Sequence, residues 1–279
     1  MNTLYLVATP IGNLEDMSPR AVRILREARL VAAEDTRHSG RLLAHFGIQT
    51  PLTSYFEHSK LGKLDVILSA LAEGDVALIS DAGMPGINDP GYELVRAALA
   101  AGYTVSPVPG PSAPVAALAA SGLPSDAFLY LGYLPRKPSE RRGFLENVSG
   151  LPYTLLFLET PHRLLDALAD MQTVLGERQI AIAREITKLH EEIWRGTVAA
   201  AREYFERNPP RGEFTLVVAG KSPSTEDSRW PEERLKETIA ASRGGDESAS
   251  ALSRRLARES GWERRVIYEM VNGVRGKGK

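Results

Sequence analysis

Short apolar runs alternate with helix-patterned stretches through the first 108 residues, and this alternation limits the fold more than any single motif. The runs are Leu4–Ala8, Leu30–Ala33, Thr50–Ser54, Val76–Ser80 and Thr104–Val108. Between them lie stretches with helical spacing. The first starts at Ser18-Pro19, with Ser as N-cap and Pro at the first helical position, and runs to about Arg29. The others are Gly40–Phe46, Leu61–Glu73 and Tyr92–Ala101, the last closed by Gly102. Strand, helix and strand in regular succession call for right-handed crossovers, so these runs are expected to form a mostly parallel sheet.

Three loops at the ends of these runs are rich in glycine, proline and serine: 9–13, 81–91 and 109–114. The middle one, DAGMPGINDPG, is much longer than a turn requires. Glycine lets a ligand approach the backbone, proline fixes φ, and open α/β sheets bind ligands outside the carboxyl ends of their strands. The same segment also reads as an ordinary crossover loop. After PVPGPSAP a small-residue helix is expected over Ala113–Ser121, with Ser112 placed to cap it and free N–H groups suited to a carboxylate.

From Ala127 the texture changes. Strands are expected at Phe128–Gly132, Tyr153–Leu158, Gln179–Ala183, Ile193–Thr197 and Phe214–Ala219, the last two as antiparallel edges. Helices are expected at Ser139–Val148, His162–Leu175 and Val198–Asn208. The fold class is therefore α/β, with two α/β domains over residues 1–118 and 119–222. A polar linker, Lys221–Ser228, leads to a helical appendix over 229–275. Its helices are expected at Pro231–Ser242, Ser248–Ser260 and Trp262–Asn272, with Gly261 between the last two as in a helix-turn-helix, and 276–279 as a frayed end. From Arg229 to Lys279 there are 12 Lys and Arg against 8 Asp and Glu, a net of +4, while the whole chain carries −1. A basic tail on an acidic body (−1 − 4 = −5) suits an anionic macromolecular partner, or simply a solvated helical surface.

Several chemistries are excluded. The chain has no cysteine, which rules out disulfides and thiolate chemistry and suits a cytoplasmic location. Its five histidines lack metal-ligand spacing, so no metal is expected, and no run is long and apolar enough for a membrane span. The first strand-to-helix turn has one glycine where a dinucleotide fingerprint needs three, and no P-loop or nucleophile-elbow motif occurs. The three small-residue loops lack the lysines that would neutralise a triphosphate. That favours a weakly anionic cofactor, and S-adenosyl-L-methionine fits, with its sulfonium, one carboxylate and an adenine.

The segments VATPIGNLEDMSPRA (7–21), EDTRHSGRLL (34–43), SDAGMPGINDPG (80–91), PVPGPSA (107–113), LETPHRL (158–164), REITKLHEE (184–192) and GEFTLVVAG (212–220) together resemble the tetrapyrrole-methylase superfamily, in its branch acting on small-subunit ribosomal RNA. The resemblance implies two α/β domains with S-adenosyl-L-methionine in the cleft between them, a homodimer, and 2′-O-methylation of a decoding-centre cytidine in 16S rRNA. By motif position, Pro10, Asp81, Met84, Ser112 and Ala113 resemble cofactor-contacting residues, as do Leu158, Ala183, Phe214 and Thr215 more loosely.

A ribose hydroxyl is a poor nucleophile, so methylation there needs alignment and a base. The charged clusters 34–37, 159–163 and 184–188 supply candidates: Glu34, then Lys188 (if its pKa is lowered), then His162. Phosphates could be held by Arg37, Arg163 and Lys188, by Arg136-Lys137 and Arg141-Arg142, and by Arg264 and Arg265 in the tail. Each cluster also reads as an internal ion-pair network. Two other functions share these features: a precorrin-like tetrapyrrole C-methyltransferase, and a non-enzymatic RNA-binding ribosome assembly factor.

Overall fold

The computed structural model describes residues 2–55, 60–222, 229–242 and 247–275. Most of the expected linker (223–228) and the expected frayed end (276–279) lie outside the described residues. The chain divides into two compact units, Met1–Gly220 and Lys221–Lys279.

The first unit opens with five strands: β1 (Thr3–Val7), β2 (Leu30–Ala33), β3 (Leu52–Ser54), β4 (Val76–Ile79) and β5 (Thr104–Val108). They lie in the order β3-β2-β4-β1-β5, and every pair is parallel. Between them run α1 (Pro19–Glu27), α2 (Thr36–His45), α3 (Lys60–Glu73) and α4 (Tyr92–Ala100). Period-2 alternation sorts the strand residues onto two faces. Val7, Val31, Ala77 and Ile79 pack with Ile24 and Leu25 of α1 and Leu43 of α2. Leu4, Ala32, Val76 and Leu78 pack with Ile67 and Leu71 of α3 and Leu94 of α4. Helices on both faces leave every residue of β4 buried, as a central parallel strand requires.

A second sheet follows: β6 (Phe128–Tyr133), β7 (Thr154–Glu159), β8 (Gln179–Arg184), β9 (Glu192–Thr197) and β10 (Phe214–Val218), in the order β6-β7-β10-β8-β9. Only β6 and β7 are parallel; β10 runs antiparallel to both β7 and β8. The expectation of β10 as an edge strand fails. All five of its residues are buried, and the edge beyond β8 is β9. The helices α6 (Pro138–Ser149), α7 (Leu164–Leu175) and α8 (Val198–Arg207) follow β6, β7 and β9. Leu145, Leu164, Leu168, Met171, Val198 and Phe205 from these helices pack with Phe157, Ile182 and Leu216 of the sheet.

Helix α5 (Ala113–Ser121) leaves the first sheet but packs on the second, where Ala117 and Leu118 meet Leu156, Ala181, Ala183 and Val217. Position 118 therefore lies inside a helix, and the change of sheet comes in the loop before it. The second unit contains α9 (Glu232–Ala241), α10 (Ala249–Ser260) and α11 (Arg264–Arg275) around Leu235, Ile239, Leu252, Leu256, Ile267 and Val271. Gly261 ends α10 at φ 68°, the left-handed position that favours glycine.

Candidate active site

Because β1, β2, β4 and β5 are parallel, the loops after them emerge at one end of the sheet. The β1 and β4 loops are tied across the point where the connections diverge: Thr9 N–H donates to Gly83 O at 2.9 Å and Gly83 N–H to Thr9 O at 3.1 Å. The buried Ser80 holds this corner, accepting from Thr9 Oγ1 at its carbonyl (3.1 Å) and donating from Oγ to Gly83 O (3.3 Å). Gly91 then starts α4 at φ 154°, where an added Cβ would sit 3.2 Å from the backbone of Gly86. This explains why position 91 is glycine.

The loop forms one wall of a cavity of about 280 Å³. Asp81, Met84, Ser112 and Ala113 line it from the first sheet's side, with Glu34 from the end of β2. Leu158, Ala183, Phe214 and Thr215 line it from the second sheet. The register explains this meeting of three distant segments: Thr215 pairs with Leu158 on one side and Ala183 on the other, so the three form one row across β7, β10 and β8. Pro10 instead lines an adjoining cavity of about 320 Å³, which shares Ile11, Asp81, Ala82 and Glu213 with the first.

The lining residues that were not among the expected cofactor contacts include Asp89, Tyr130, Tyr133, Glu159 and Glu213. Tyr130 and Tyr133 flank the register irregularity in β6, where an added Cβ at Gly132 (φ 65°) would displace the Asn88 side chain. Burial pushes the Tyr130 hydroxyl up to about 12, with help from Tyr133 and Asp89. Glu159 accepts from Thr160 N–H at 2.8 Å and pairs with Arg163 at 3.3 Å, while its second oxygen is buried without a protein partner.

The lining contains five carboxylates (Glu34, Asp81, Asp89, Glu159, Glu213) and no lysine, arginine or histidine. Three of them crowd the β2 and β4 ends. Asp35 N–H donates to Asp81 Oδ1 at 3.2 Å, and Asp81 N–H faces Glu34 Oε2 at 3.5 Å. Burial, and then the charge of Asp81, raises the Glu34 pKa. Burial, and then Glu34, pushes Asp89 up to about 6, against a hydrogen bond from Ser80 that lowers it. Such a pocket favours a cation and disfavours a polyphosphate. Among the described residues no three histidine, aspartate or glutamate side chains are grouped to hold a metal ion.

The other expected residues fare differently. Lys188 is no base of lowered pKa. Burial draws it down, but hydrogen bonds to Glu185 (2.9 Å) and Glu213 (3.0 Å) outweigh this and hold it protonated. His162 is exposed and lines neither cavity. Arg163 is committed internally, to Glu159 and to the carbonyls of Leu134 and Pro135, and so is not a free phosphate contact. Arg141 is buried against Asp170 and is excluded for the same reason. Arg37, Arg136, Lys137, Arg264 and Arg265 are all exposed, Arg37 beside Asp35 and Lys137 beside Glu140.

The sequence profile of the tetrapyrrole (corrin/porphyrin) methylases matches residues 3–202. The chain belongs to the tetrapyrrole methylase family. Solved structures of that fold agree. A uroporphyrin-III C-methyltransferase from Thermus thermophilus (24% identity, TM-score 0.54) covers 78% of this chain with 94% of its own. A cobalt precorrin-4 methyltransferase (16% identity, TM-score 0.59) likewise covers 78% with 94%. At these identities the likeness concerns the fold alone. Within the tetrapyrrole methylases the chain is far more similar to proteins named ribosomal RNA small subunit methyltransferase I. The one from Synechocystis sp. is 47% identical over 97% of both chains. That from Halalkalibacterium halodurans is 46% identical over 97% of this chain and 94% of its own. That from Pseudomonas aeruginosa is 46% identical over 99% and 98%.

Proposed function

We propose that this chain transfers a methyl group from S-adenosyl-L-methionine to the 2′-hydroxyl of a decoding-centre cytidine in 16S rRNA. One observation carries the choice of substrate. The family profile stops at residue 202, yet likeness to the ribosomal RNA methyltransferases covers 97–99% of the chain and so takes in most of the unit Lys221–Lys279.

The residues present fit the donor. A cavity lined by five carboxylates and no basic side chain suits a sulfonium and an ammonium. The N-terminus of α5, whose Ser112 makes no side-chain cap, offers unused N–H groups to the methionine carboxylate. Met84, Leu158, Ala183 and Phe214 give apolar surface for the adenosine. When bound, S-adenosyl-L-methionine supplies an electrophilic methyl whose C–S bond breaks as the C–O bond forms. Glu34, at the cavity wall with a raised pKa, takes the proton from the 2′-hydroxyl as it attacks. Lys188, held protonated, contributes charge rather than proton removal.

The domains act as a donor-binding pair, 1–118 and 119–222 with the first boundary moved to the loop before α5, and an RNA-binding appendix, 229–275. Arg37, Arg136, Lys137, Arg264 and Arg265 are the exposed cations for RNA phosphates. The family resemblance adds a homodimer. The cytoplasm is where ribosomal subunits are found, and no described helix is long and apolar enough to cross a membrane. The test is to incubate the protein with small ribosomal subunits and S-adenosyl-L-methionine and to map 2′-O-methyl groups on 16S rRNA. One new 2′-O-methylcytidine in the decoding region is expected. Absence of label from the rRNA, or methyl transfer to a precorrin instead, would refute the assignment.

A further inference from the structure

The second cavity, of about 320 Å³, is unassigned by the donor site yet continuous with it through Ile11, Asp81, Ala82 and Glu213. Its lining differs in character. Pro10, Leu14 and Leu42 give it apolar walls, and Leu14 keeps 40% of its surface exposed. His38, Arg41 and Lys188 bring the basic groups that the donor cavity lacks. His38, Arg41 and Leu42 stand three and four residues apart on α2, so one helix face presents both the cation and the apolar surface. Arg41 is exposed, and among the described residues its only hydrogen bond is a long one from Nε to Arg37 O at 3.4 Å. No carboxylate pairs with it among the described residues; the acidic groups of this cavity, Asp81 and Glu213, belong to the wall shared with the donor site.

The segment that brings Lys188 to the cavity is built with strain. Glu185 (φ 50°) and Thr187 (φ 66°) both take left-handed backbone angles that non-glycine residues avoid, Thr most of all. Asn13 N–H donates to Thr187 Oγ1 at 3.1 Å, and Gly12 lies against Lys188 where any Cβ would overlap its side chain. Lys188 thereby reaches the cavity with two of its three N–H donors used by Glu185 and Glu213, leaving one for a ligand.

We propose that this cavity receives the acceptor nucleotide, extruded from the RNA. Its base lies among Pro10, Leu14 and Leu42, its phosphate meets Arg41, and its ribose sits at the shared wall facing the methyl donor. This rests on the reading of the chain as an rRNA methyltransferase. Chemistry on a single nucleotide generally takes it out of its stack into such a pocket, where apolar side chains flank the base.

Initial rates of labelled methyl transfer to small ribosomal subunits, at varied subunit concentration, test this for wild type, Arg41→Glu, Arg41→Lys and Leu14→Asp. S-adenosyl-L-methionine affinity is measured calorimetrically for each. Arg41→Glu is expected to raise the KM for subunits about tenfold or more, and Arg41→Lys to restore most of that loss. Leu14→Asp is expected to cut kcat/KM to a similar degree, with donor affinity within twofold throughout. Unaltered transfer by Arg41→Glu and Leu14→Asp, with an active wild type, overturns the pocket and leaves the rRNA reading standing. Loss of donor affinity in Arg41→Glu reassigns Arg41 to the donor and also overturns it. A wild type that transfers nothing to subunits overturns the rRNA reading, and this one with it.

Discussion

The backbone N–H of Asp35 donates to Oδ1 of Asp81 at 3.2 Å, joining the loops after two adjacent parallel strands at the donor cavity. Asp81 thus has a structural contact and a charge, and the two separate by substitution. Asp81→Asn keeps an oxygen for the Asp35 amide but removes a negative charge from the wall. S-adenosyl-L-methionine should then bind about tenfold more weakly, roughly 1.4 kcal/mol, with the melting temperature little changed. Calorimetry and thermal denaturation measure the two effects, and an unchanged dissociation constant would refute the electrostatic role.

Asp89 sets a pH dependence. Its folded-state pKa, about 6, lies above the ordinary 3.8, so the free protein favours the protonated form. Its effect on stability is therefore favourable below about pH 4 and is lost as pH rises through 6. Cation binding reverses the preference by favouring the carboxylate. Donor affinity should rise as pH increases through 6 and level off above it, and binding at pH 6 should release a fraction of a proton. Calorimetry in buffers of different ionisation enthalpy reads that proton directly. Asp89→Asn should flatten the profile.

Glu34, proposed as the base, lines the cavity and has a raised pKa. Glu34→Gln should reduce kcat by about 10²–10⁴ while the donor still binds. In the wild type, turnover should fall as acid protonates this carboxylate. Near-normal single-turnover rates in Glu34→Gln would remove it from the mechanism.

The sequence disclosed the repetitive parts of this architecture and hid parts whose role depends on a distant partner. Parallel strands with all-apolar faces, such as VALI in β4, are visible as runs. The same cue was present in FTLVV of β10, where apolarity on both faces marks a central strand, but the pairing partners are far away in sequence. Asp35 looked like part of a catalytic cluster, yet its carboxylate accepts from Arg37 N–H at 2.8 Å and caps α2, which starts four residues earlier than expected. The Arg37 guanidinium, and then that cap, lower its pKa to about 2. Eight of the nine cofactor residues transferred by motif line one cavity, since motifs preserve local loop geometry. Lys188 and Arg163 went astray because their ion-pair partners could not be read from the motifs.

Arg141 and Arg142 are neighbours with opposite fates. Arg141 shares a helix face with Leu145 and Val148, at i+4 and i+7, and its Nε donates to Asp170 Oδ2 at 2.6 Å with 4% of the side chain exposed. Arg142 points outward, 46% exposed, and reaches the same carboxylate at 3.2 Å. Arg141→Met leaves the buried Asp170 with only the outward-facing Arg142 and should cost about 3 kcal/mol of stability. Arg142→Ala should cost less than about 1 kcal/mol. Urea unfolding measures both; equal effects would contradict the burial argument.

The C-terminal unit has its own core of Leu235, Ile239, Leu252, Leu256, Ile267 and Val271. Its entry is pinned by Trp262 Nε1 donating to Trp230 O at 2.7 Å, with the Arg229 guanidinium stacked 3.5 Å from the Trp262 ring centre. Because the unit folds around its own residues, deleting 229–279 should leave 1–220 intact. The donor cavity draws every lining residue from that first unit, so S-adenosyl-L-methionine affinity should stay within about twofold of wild type. The deletion removes a net +4, including the exposed Arg264 and Arg265, so subunit binding should weaken and depend less steeply on salt. Filter binding of small ribosomal subunits across a salt series reads both quantities. An unchanged affinity with an unchanged slope would show that these helices serve the protein in some way other than by holding RNA.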